Sequence, residues 1–333
     1  MSKRINYIDY MRGIAIILVV MGHLIQFNGF PTSNPVFEFI YSFHMPLFFA
    51  ISGYITQRVT SIETIYEYFT YLKKKFLSII LPLITWSLFI NPYLLKKQWE
   101  ILSYEEALRI LQYPGLWFLK MLFIILVYYG IFNLICNKLK PTNFLRYFFA
   151  TLPTTLLTLA SVYLNITETN LILFTYAFYL GCFTAKFPII EHLLNKQSVY
   201  AISLLSFFTL STHWNFAGNH IDDIYKIVVS TFAFITLLNL CQKFNFNIKV
   251  KKILQLFGTQ SLAIYILQFR LCNFGNETLF IHIHNMNPFV LFLLTLIVAI
   301  PISYICCIVT KIIYTNSFLS FFLFGKKTLA SDK

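Results

Sequence analysis

Residues 12–23 read RGIAIILVVMGH, an apolar helix-length stretch that begins with an arginine and ends with a histidine. Because Arg12 and His23 lie almost three whole helical turns apart, both side chains should leave the same helix face, roughly 16 Å apart along the axis. That spacing is about half the thickness of a bilayer core. Ionisable groups are costly at such depth and usually mark functional sites. The pair therefore predicts a membrane helix with a functional face.

The composition predicts a membrane protein with many spans. The chain has 333 residues, of which 58% are hydrophobic and 12% are charged, whereas a soluble domain carries about 25% charged residues. Many apolar runs reach the ~20 residues that a membrane helix needs. We expect an all-α integral membrane protein with about ten transmembrane helices, which together leave room for a single domain, residues 1–333. The predicted spans are 7–27, 36–56, 76–95, 117–136, 145–164, 171–186, 199–212, 225–242, 253–271 and 288–313, with the boundaries of the sixth and seventh left open.

The positive charge alternates between loops. The formal net charge is +13, and lysines cluster in every second connection, for example at 73–75 and 249–252. This pattern follows the positive-inside rule and predicts that both termini are cytoplasmic, in the inner or plasma membrane of the cell. We therefore expect no nucleic-acid partner, although a basic cytoplasmic face attracts anionic lipids or an anionic cosubstrate. No cysteine or histidine spacing indicates a metal site.

The second predicted span, SFHMPLFFAISGY at 42–54, adds a second polar group of residues. His44 and Ser52 lie close to two helical turns apart, and Pro46 is expected to open the helix just after His44. A broken membrane helix is tolerated where it lines a cavity inside the protein. The pattern predicts that His23 and His44 face one polar cavity. Other interpretations remain open: Arg12 reaching to the interface, His23 as a hydrogen-bonded bundle residue, and a proline kink that serves packing alone.

The strings DYMRGIAIILVVMGH and FHMPLFFAISGY resemble the membrane-bound acyltransferase-3 family, which includes bacterial enzymes that O-acetylate glycans. Its hallmark is an arginine or lysine, ten residues and then a histidine in the first span, which Arg12 and His23 match. Weaker similarities follow at KKKFLSIILP (73–82), LWFLKMLF (116–123) and LFGTQSLAIYILQF (256–269). The residues of the second span that match the family are His44, Pro46, Phe48, Ser52 and Gly53.

The resemblance implies an O-acyltransferase that moves acetyl from acetyl-CoA, or another acyl group from its CoA ester, to a hydroxyl of a cell-surface or lipid-linked glycan. The acyl-CoA is a cosubstrate, and no permanently bound cofactor is expected. His23 is the candidate general base. His44, Ser52 and Trp117 are candidates to stabilise the oxyanion.

The anionic donor should meet the basic side of the membrane. Arg12 suits phosphate contacts, and Lys73, Lys74 and Lys75 could add point charges from the adjoining cytoplasmic loop. Relatives often have histidine where Gln268 stands. Because glutamine cannot act as a base at neutral pH, its role here is reduced to orientation.

Two other classes of function fit the same pattern. Spans with polar groups at mid-depth and a proline-broken helix are also typical of a transporter or exporter of glycans or acyl-modified substrates. A structural subunit of a glycan assembly machine is a third possibility. The acceptor and the oligomeric state are left open. Possible sugar-binding groups, which could equally be solvated loop residues, are His213, Trp214, His220, Asp222, Asp223, Arg270, His282 and His284.

Overall fold

The computed structural model describes residues 5–28, 34–90, 103–112, 115–140, 144–164, 170–216, 220–274 and 286–326. Within these ranges all regular secondary structure is helical. The elements are α1 (Asn6–Phe27), α2 (Pro35–Tyr41), α3 (His44–Val59), α4 (Ile65–Lys75), the π-helix π1 (Phe76–Ile80), α5 (Leu81–Ile84), the π-helix π2 (Thr85–Ile90), α6 (Tyr104–Gln112), α7 (Trp117–Leu139), α8 (Phe144–Ala150), α9 (Leu152–Tyr163), α10 (Asn170–Lys186), α11 (Pro188–Leu194), α12 (Gln197–Ser211), α13 (His220–Lys243), α14 (Ile248–Thr259), α15 (Ser261–Leu271), α16 (Pro288–Ile313) and α17 (Ser317–Phe324).

Several of these helices can cross a membrane, so the prediction of an all-α membrane protein is confirmed. In the part of the chain that the structure describes, five helical stretches are long and apolar enough. A sixth is possible if α10 and α11, which bend by 105° at their junction, form one broken span. The described parts of the other predicted spans hold shorter or interrupted helices, so the number of about ten spans and the side of the termini stay predictions. The five stretches are Asn6–Phe27, Pro35–Val59, Trp117–Leu139, Asp222–Lys243 and Pro288–Ile313.

The chain divides into two compact units. The first comprises Met1–Thr60 and Ile172–Ile308, and the second comprises Ser61–Leu171 and Val309–Lys333. Arg12, His23, His44 and Ser52 all belong to the first unit. Lys73, Lys74 and Lys75 belong to the second.

In the first unit, α1 and α14 pack with their backbones in contact. A Cβ at Gly13 would overlap the carbonyl oxygen of Leu254, and a Cβ at Gly258 would overlap that of Asp9. Small residues allow this approach, which is a common way for membrane helices to associate without a hydrophobic driving force. The contact holds α1 against the helix that leads into α15.

In the second unit, α4 is an amphipathic helix with a capped N-terminus. The Thr64 hydroxyl accepts from the Glu67 N–H, while the Glu67 carboxylate accepts from the Thr64 N–H, which is a capping box. Tyr68 is buried against Gly130 of α7, whereas Tyr66 and Phe69 are exposed. An amphipathic helix of this kind suits a membrane interface.

The glycine contact predicts a specific loss of stability. Gly258→Ala forces α1 and α14 apart, and overpacking of this kind costs about 1–3 kcal/mol. We expect the midpoint of thermal unfolding of the detergent-solubilised protein to fall by roughly 5 °C. Gly115→Ala is the matched control, because a Cβ at Gly115 meets nothing within 4 Å. Equal midpoints for the two variants would contradict the close contact.

Candidate active site

The break between α2 and α3 positions His44. It lies at Ser42 and Phe43, so it precedes His44 instead of following it, and Pro46 stands in the first turn of α3. This corrects the predicted position of the break: a proline in the first helical turn removes an N–H that has no helical partner anyway, so it starts a helix without interrupting it. His44 is buried, and its Nδ1 lies 2.8 Å from the carbonyl oxygen of Ile40. Since a carbonyl only accepts, Nδ1 carries the hydrogen.

His23 is held near the C-terminal end of α1. Its Nδ1 lies 2.8 Å from Nε2 of Gln268 on α15. The imidazole stacks on Phe27 with the ring centroids 5.0 Å apart. The ring of Phe269 is tilted relative to the imidazole, and their centroids are 4.9 Å apart. The ring of His23 is thus oriented by one polar contact and two aromatic contacts, and it remains partly exposed.

Gln268 is fully buried, with 0% of its surface exposed. Its amide has an NH₂ group that donates and an oxygen that accepts, and rotation of the amide by about 180° exchanges the positions of the two. Gln268 can therefore accept a hydrogen from His23 Nδ1 as well as donate one to it. In the first arrangement Nε2 of His23 is the basic nitrogen.

Arg12 faces the same helix as His23. Its Nη2 donates to Oγ of Ser261 at 2.8 Å, and Ser261 begins α15. Ser261 and Gln268 lie two helical turns apart on α15, so the two polar side chains of α1 meet two polar side chains of one partner helix. Both side chains leave one face of α1, as their spacing predicts.

Tyr41 lies between His44 and the residue next to His23. A Cβ at Gly22 would stand 2.8 Å from Cε2 of Tyr41, so the tyrosine ring lies against the residue next to His23. The same ring lies 4.6 Å from the ring of His44, centroid to centroid. We call the region of His23, Tyr41 and His44 the histidine end of the first unit. That His23 and His44 face one polar cavity stays a prediction.

A carboxylate organises the opposite end of the first unit. Oε1 of Glu191, on α11, accepts from Tyr7 OH, Tyr54 OH and Gln242 Nε2, each at 3.0 Å. Its Oε2 pairs with Arg58 Nη2 at 2.9 Å. Helices α1, α3, α11 and α13 are thereby tied together. Sequence analysis missed this cluster; a single acidic residue in a short helix between basic stretches was the available signal.

The remaining candidates occupy separate places. Ser52 lies two turns beyond His44 on α3 and is partly buried. Lys73 and Lys74 are exposed in the last turn of α4, while burial lowers the pKa of Lys75, whose Nζ lies 5.4 Å from the centroid of the Tyr71 ring. The two exposed lysines are therefore better suited to an anion than Lys75.

Trp214 is not an open sugar platform. It is only 5% exposed, its Nε1 donates to the carbonyl of Asp222 at 3.1 Å, and Lys226 Nζ lies over its ring at 4.7 Å. The predicted loop residues His282 and His284 lie outside the described residues, as does the side chain of His220. Among the side chains that the structure describes, no group of three histidine, cysteine or acidic residues could hold a metal.

Comparison with known proteins identifies two relatives and a family for this chain. Two curated relatives are the "Nodulation protein NolL" of Sinorhizobium fredii, 52% identical over 52 residues, and the protein of the same name from Mesorhizobium japonicum, 47% identical over 53 residues. Each match covers 14% of this chain and 14% of the relative. No solved structure matches the chain. A family model described as an acyltransferase domain, acyltransferase-3, matches residues 5–308. The chain therefore belongs to the acyltransferase-3 family of membrane acyltransferases.

Proposed function

We propose that the protein transfers an acetyl group from acetyl-CoA, or another acyl group from its CoA ester, to a hydroxyl of a cell-surface or lipid-linked glycan. The observation that carries the proposal is the position of the His23 imidazole. His23 lies on α1, the helix that also carries Arg12, and its Nδ1 lies 2.8 Å from Nε2 of Gln268 on α15. Family membership supports acyl transfer as the reaction. A positioned histidine supplies what a sugar hydroxyl needs, because a neutral hydroxyl is a weak nucleophile.

In the proposed reaction, Nε2 of His23 removes the hydroxyl proton while the hydroxyl oxygen attacks the thioester carbonyl. The tetrahedral intermediate then expels the thiolate of coenzyme A, so that a C–O bond replaces the C–S bond. The imidazolium returns its proton to the thiolate, and His23 is regenerated. Nδ1 of His23 keeps its hydrogen throughout by donating to the amide oxygen of Gln268, which stabilises the imidazolium.

The developing oxyanion needs a hydrogen-bond donor. Neutral His44 already uses its one N–H on Ile40, so its Nε2 is an acceptor and suits the incoming hydroxyl. The hydroxyl of Ser52 can donate, but it lies two turns farther along α3, so this role requires that the thioester carbonyl lies between His44 and Ser52.

For the donor, we propose that Arg12 binds the phosphates of the acyl-CoA from the cytoplasmic side, and that the exposed Lys73 and Lys74 add positive charge to the cytoplasmic face. This assignment requires that α1 begins on the cytoplasmic side, so that His23 lies toward the outer face. We propose about ten spans with both termini cytoplasmic, in the inner or plasma membrane. We treat residues 1–333 as one functional domain, because the family match at 5–308 extends over residues of both compact units.

Replacement of the base tests the reaction. His23→Ala should lower acetyl transfer to glycan by about 10²–10⁴-fold, the usual contribution of general base catalysis. The measurement is transfer of labelled acetyl by purified, folded protein. His192→Ala, which removes an exposed histidine of the first unit, should leave the rate unchanged. Full transfer by the His23 variant would remove it as the base, and glycan export without any transfer would favour the exporter.

Replacement of Arg12 tests the donor site. Arg12→Ala should weaken acetyl-CoA binding by about tenfold or more, because a hydrogen bond to a charged group contributes roughly 1.5–3 kcal/mol. Calorimetric titration of acetyl-CoA into the purified protein measures this effect. Arg270→Ala is the control, since Arg270 is exposed at the far end of α15. Normal acetyl-CoA affinity in the Arg12 variant would exclude it from the donor site.

Gln268 is proposed to be a positioning residue. Gln268→Ala should reduce kcat by about 100-fold, because misplacement of a reacting group by about 1 Å has an effect of that size, while KM for acetyl-CoA stays the same. Gln268→His can still hydrogen-bond to His23 and should recover most of the activity. Equal losses of kcat in the alanine and histidine variants would argue against an orienting role.

A further inference from the structure

We propose that the histidine end binds the acceptor as a neutral sugar ring, in a site built from Tyr41, Gln26, Glu38 and Phe216. None of these residues was singled out by the sequence. The inference rests on the proposed function, because it assigns the glycan to a particular group of side chains.

Tyr41 brings the site to the reacting groups. Its ring touches Gly22, beside His23, and lies 4.6 Å from the ring of His44. Its hydroxyl donates to Oε1 of Gln26 at 2.6 Å. Since Gln26 is exposed one turn beyond His23, its amide NH₂ can donate to a ligand that lies next to His23.

Phe216 supplies an apolar surface next to Tyr41. Its side chain is 43% exposed. The ring stands edge-on to Tyr41 at 5.7 Å and to Phe37 at 5.1 Å, centroid to centroid. Phe37 itself is buried and stacks on Tyr41 at 3.8 Å. An aromatic ring is thus presented to solvent on a support of two further rings.

Glu38 completes the polar side of the site. It is partly buried, and its Oε1 accepts a long hydrogen bond of 3.5 Å from the N–H of Phe216. A carboxylate has capacity for several hydrogen bonds, so Glu38 can also accept from a ligand hydroxyl.

These groups select the ligand class. A pyranose offers an apolar C–H face for the phenyl ring of Phe216 and hydroxyls for the carboxylate and the amide. A purely apolar ligand would desolvate the second carboxylate oxygen of Glu38 and the amide NH₂ of Gln26 without giving them a hydrogen bond, which is unfavourable. A phosphate or other anion would be repelled by the carboxylate. The combination of an aromatic face with a few convergent polar groups is typical of a small-molecule site, and here it fits a neutral sugar.

Trp214 is buried, so the exposed aromatic ring of the proposed sugar site is Phe216. Tryptophan is the residue that sequence reasoning favours for stacking, but its indole is buried beneath Lys226. Its ring lies 6.1 Å from that of Phe216. Trp214 therefore supports the loop from inside, and Phe216 is the ring that faces outward.

The test uses the full-length protein in detergent or vesicles, with saturating acetyl-CoA. The acceptor is the total surface-glycan fraction extracted from a host strain that lacks this protein, titrated over a range of concentrations. Phe216→Ala should raise the acceptor KM by about fivefold or more, since an aromatic contact contributes roughly 0.5–1.5 kcal/mol beyond its buried area. Tyr41→Phe keeps the ring against Gly22 but loses the bond to Gln26, and it should raise the acceptor KM about twofold to fivefold. Neither variant should change KM for acetyl-CoA.

Phe244→Ala is the matched control, because Phe244 is a comparably exposed phenylalanine of the first unit that contacts Phe246. It should leave both KM values unchanged. Wild-type acceptor KM in both Phe216→Ala and Tyr41→Phe would overturn the sugar site while leaving the transferase intact. If the wild-type protein transfers no acetyl to the glycan fraction, the proposed function fails and the sugar site fails with it.

Discussion

The polar side chains of α1 must find partners inside the protein, because the hydrocarbon core of a membrane offers none. Arg12 meets Ser261, and His23 meets Gln268, both on α15. Asn28, just past the end of α1, donates to the carbonyl of Cys272 at 2.7 Å. Three polar contacts in register therefore hold α1 beside α15, and the candidate base is oriented by one of them.

Close backbone packing makes this register possible. The glycines at the contact of α1 with α14 allow the two backbones to touch, and α14 runs into α15 at Gln260. A shift of α1 along its axis would move Arg12 and His23 away from their partners together. Packing and chemistry are thus coupled: the same contact that stabilises the first unit also places the imidazole.

The two ends of the first unit differ in how their polar groups are hydrogen-bonded. At one end Glu191 gathers donors from three helices and ties the short helix α11 to the bundle, with Arg58 balancing its charge. At the other end the helix break precedes His44, whose ring lies beside that of Tyr41, and Tyr41 contacts the residue next to His23. At the Glu191 end the carboxylate oxygens already accept hydrogen bonds from protein groups. At the histidine end some polar groups can still hydrogen-bond to a ligand.

The sequence by itself determined the class of the protein and the shared face of Arg12 and His23, because both depend on local properties: hydrophobic length and helical periodicity. Only the tertiary structure decided that Gln268 contacts His23, that Tyr41 packs against Gly22 and that Trp214 is buried, because each depends on packing between separate segments of the chain. The position of the break at Ser42 and Phe43 also escaped prediction. A proline in the sequence indicates an irregularity in a helix. Whether the proline interrupts the helix or begins it depends on how the preceding segment packs.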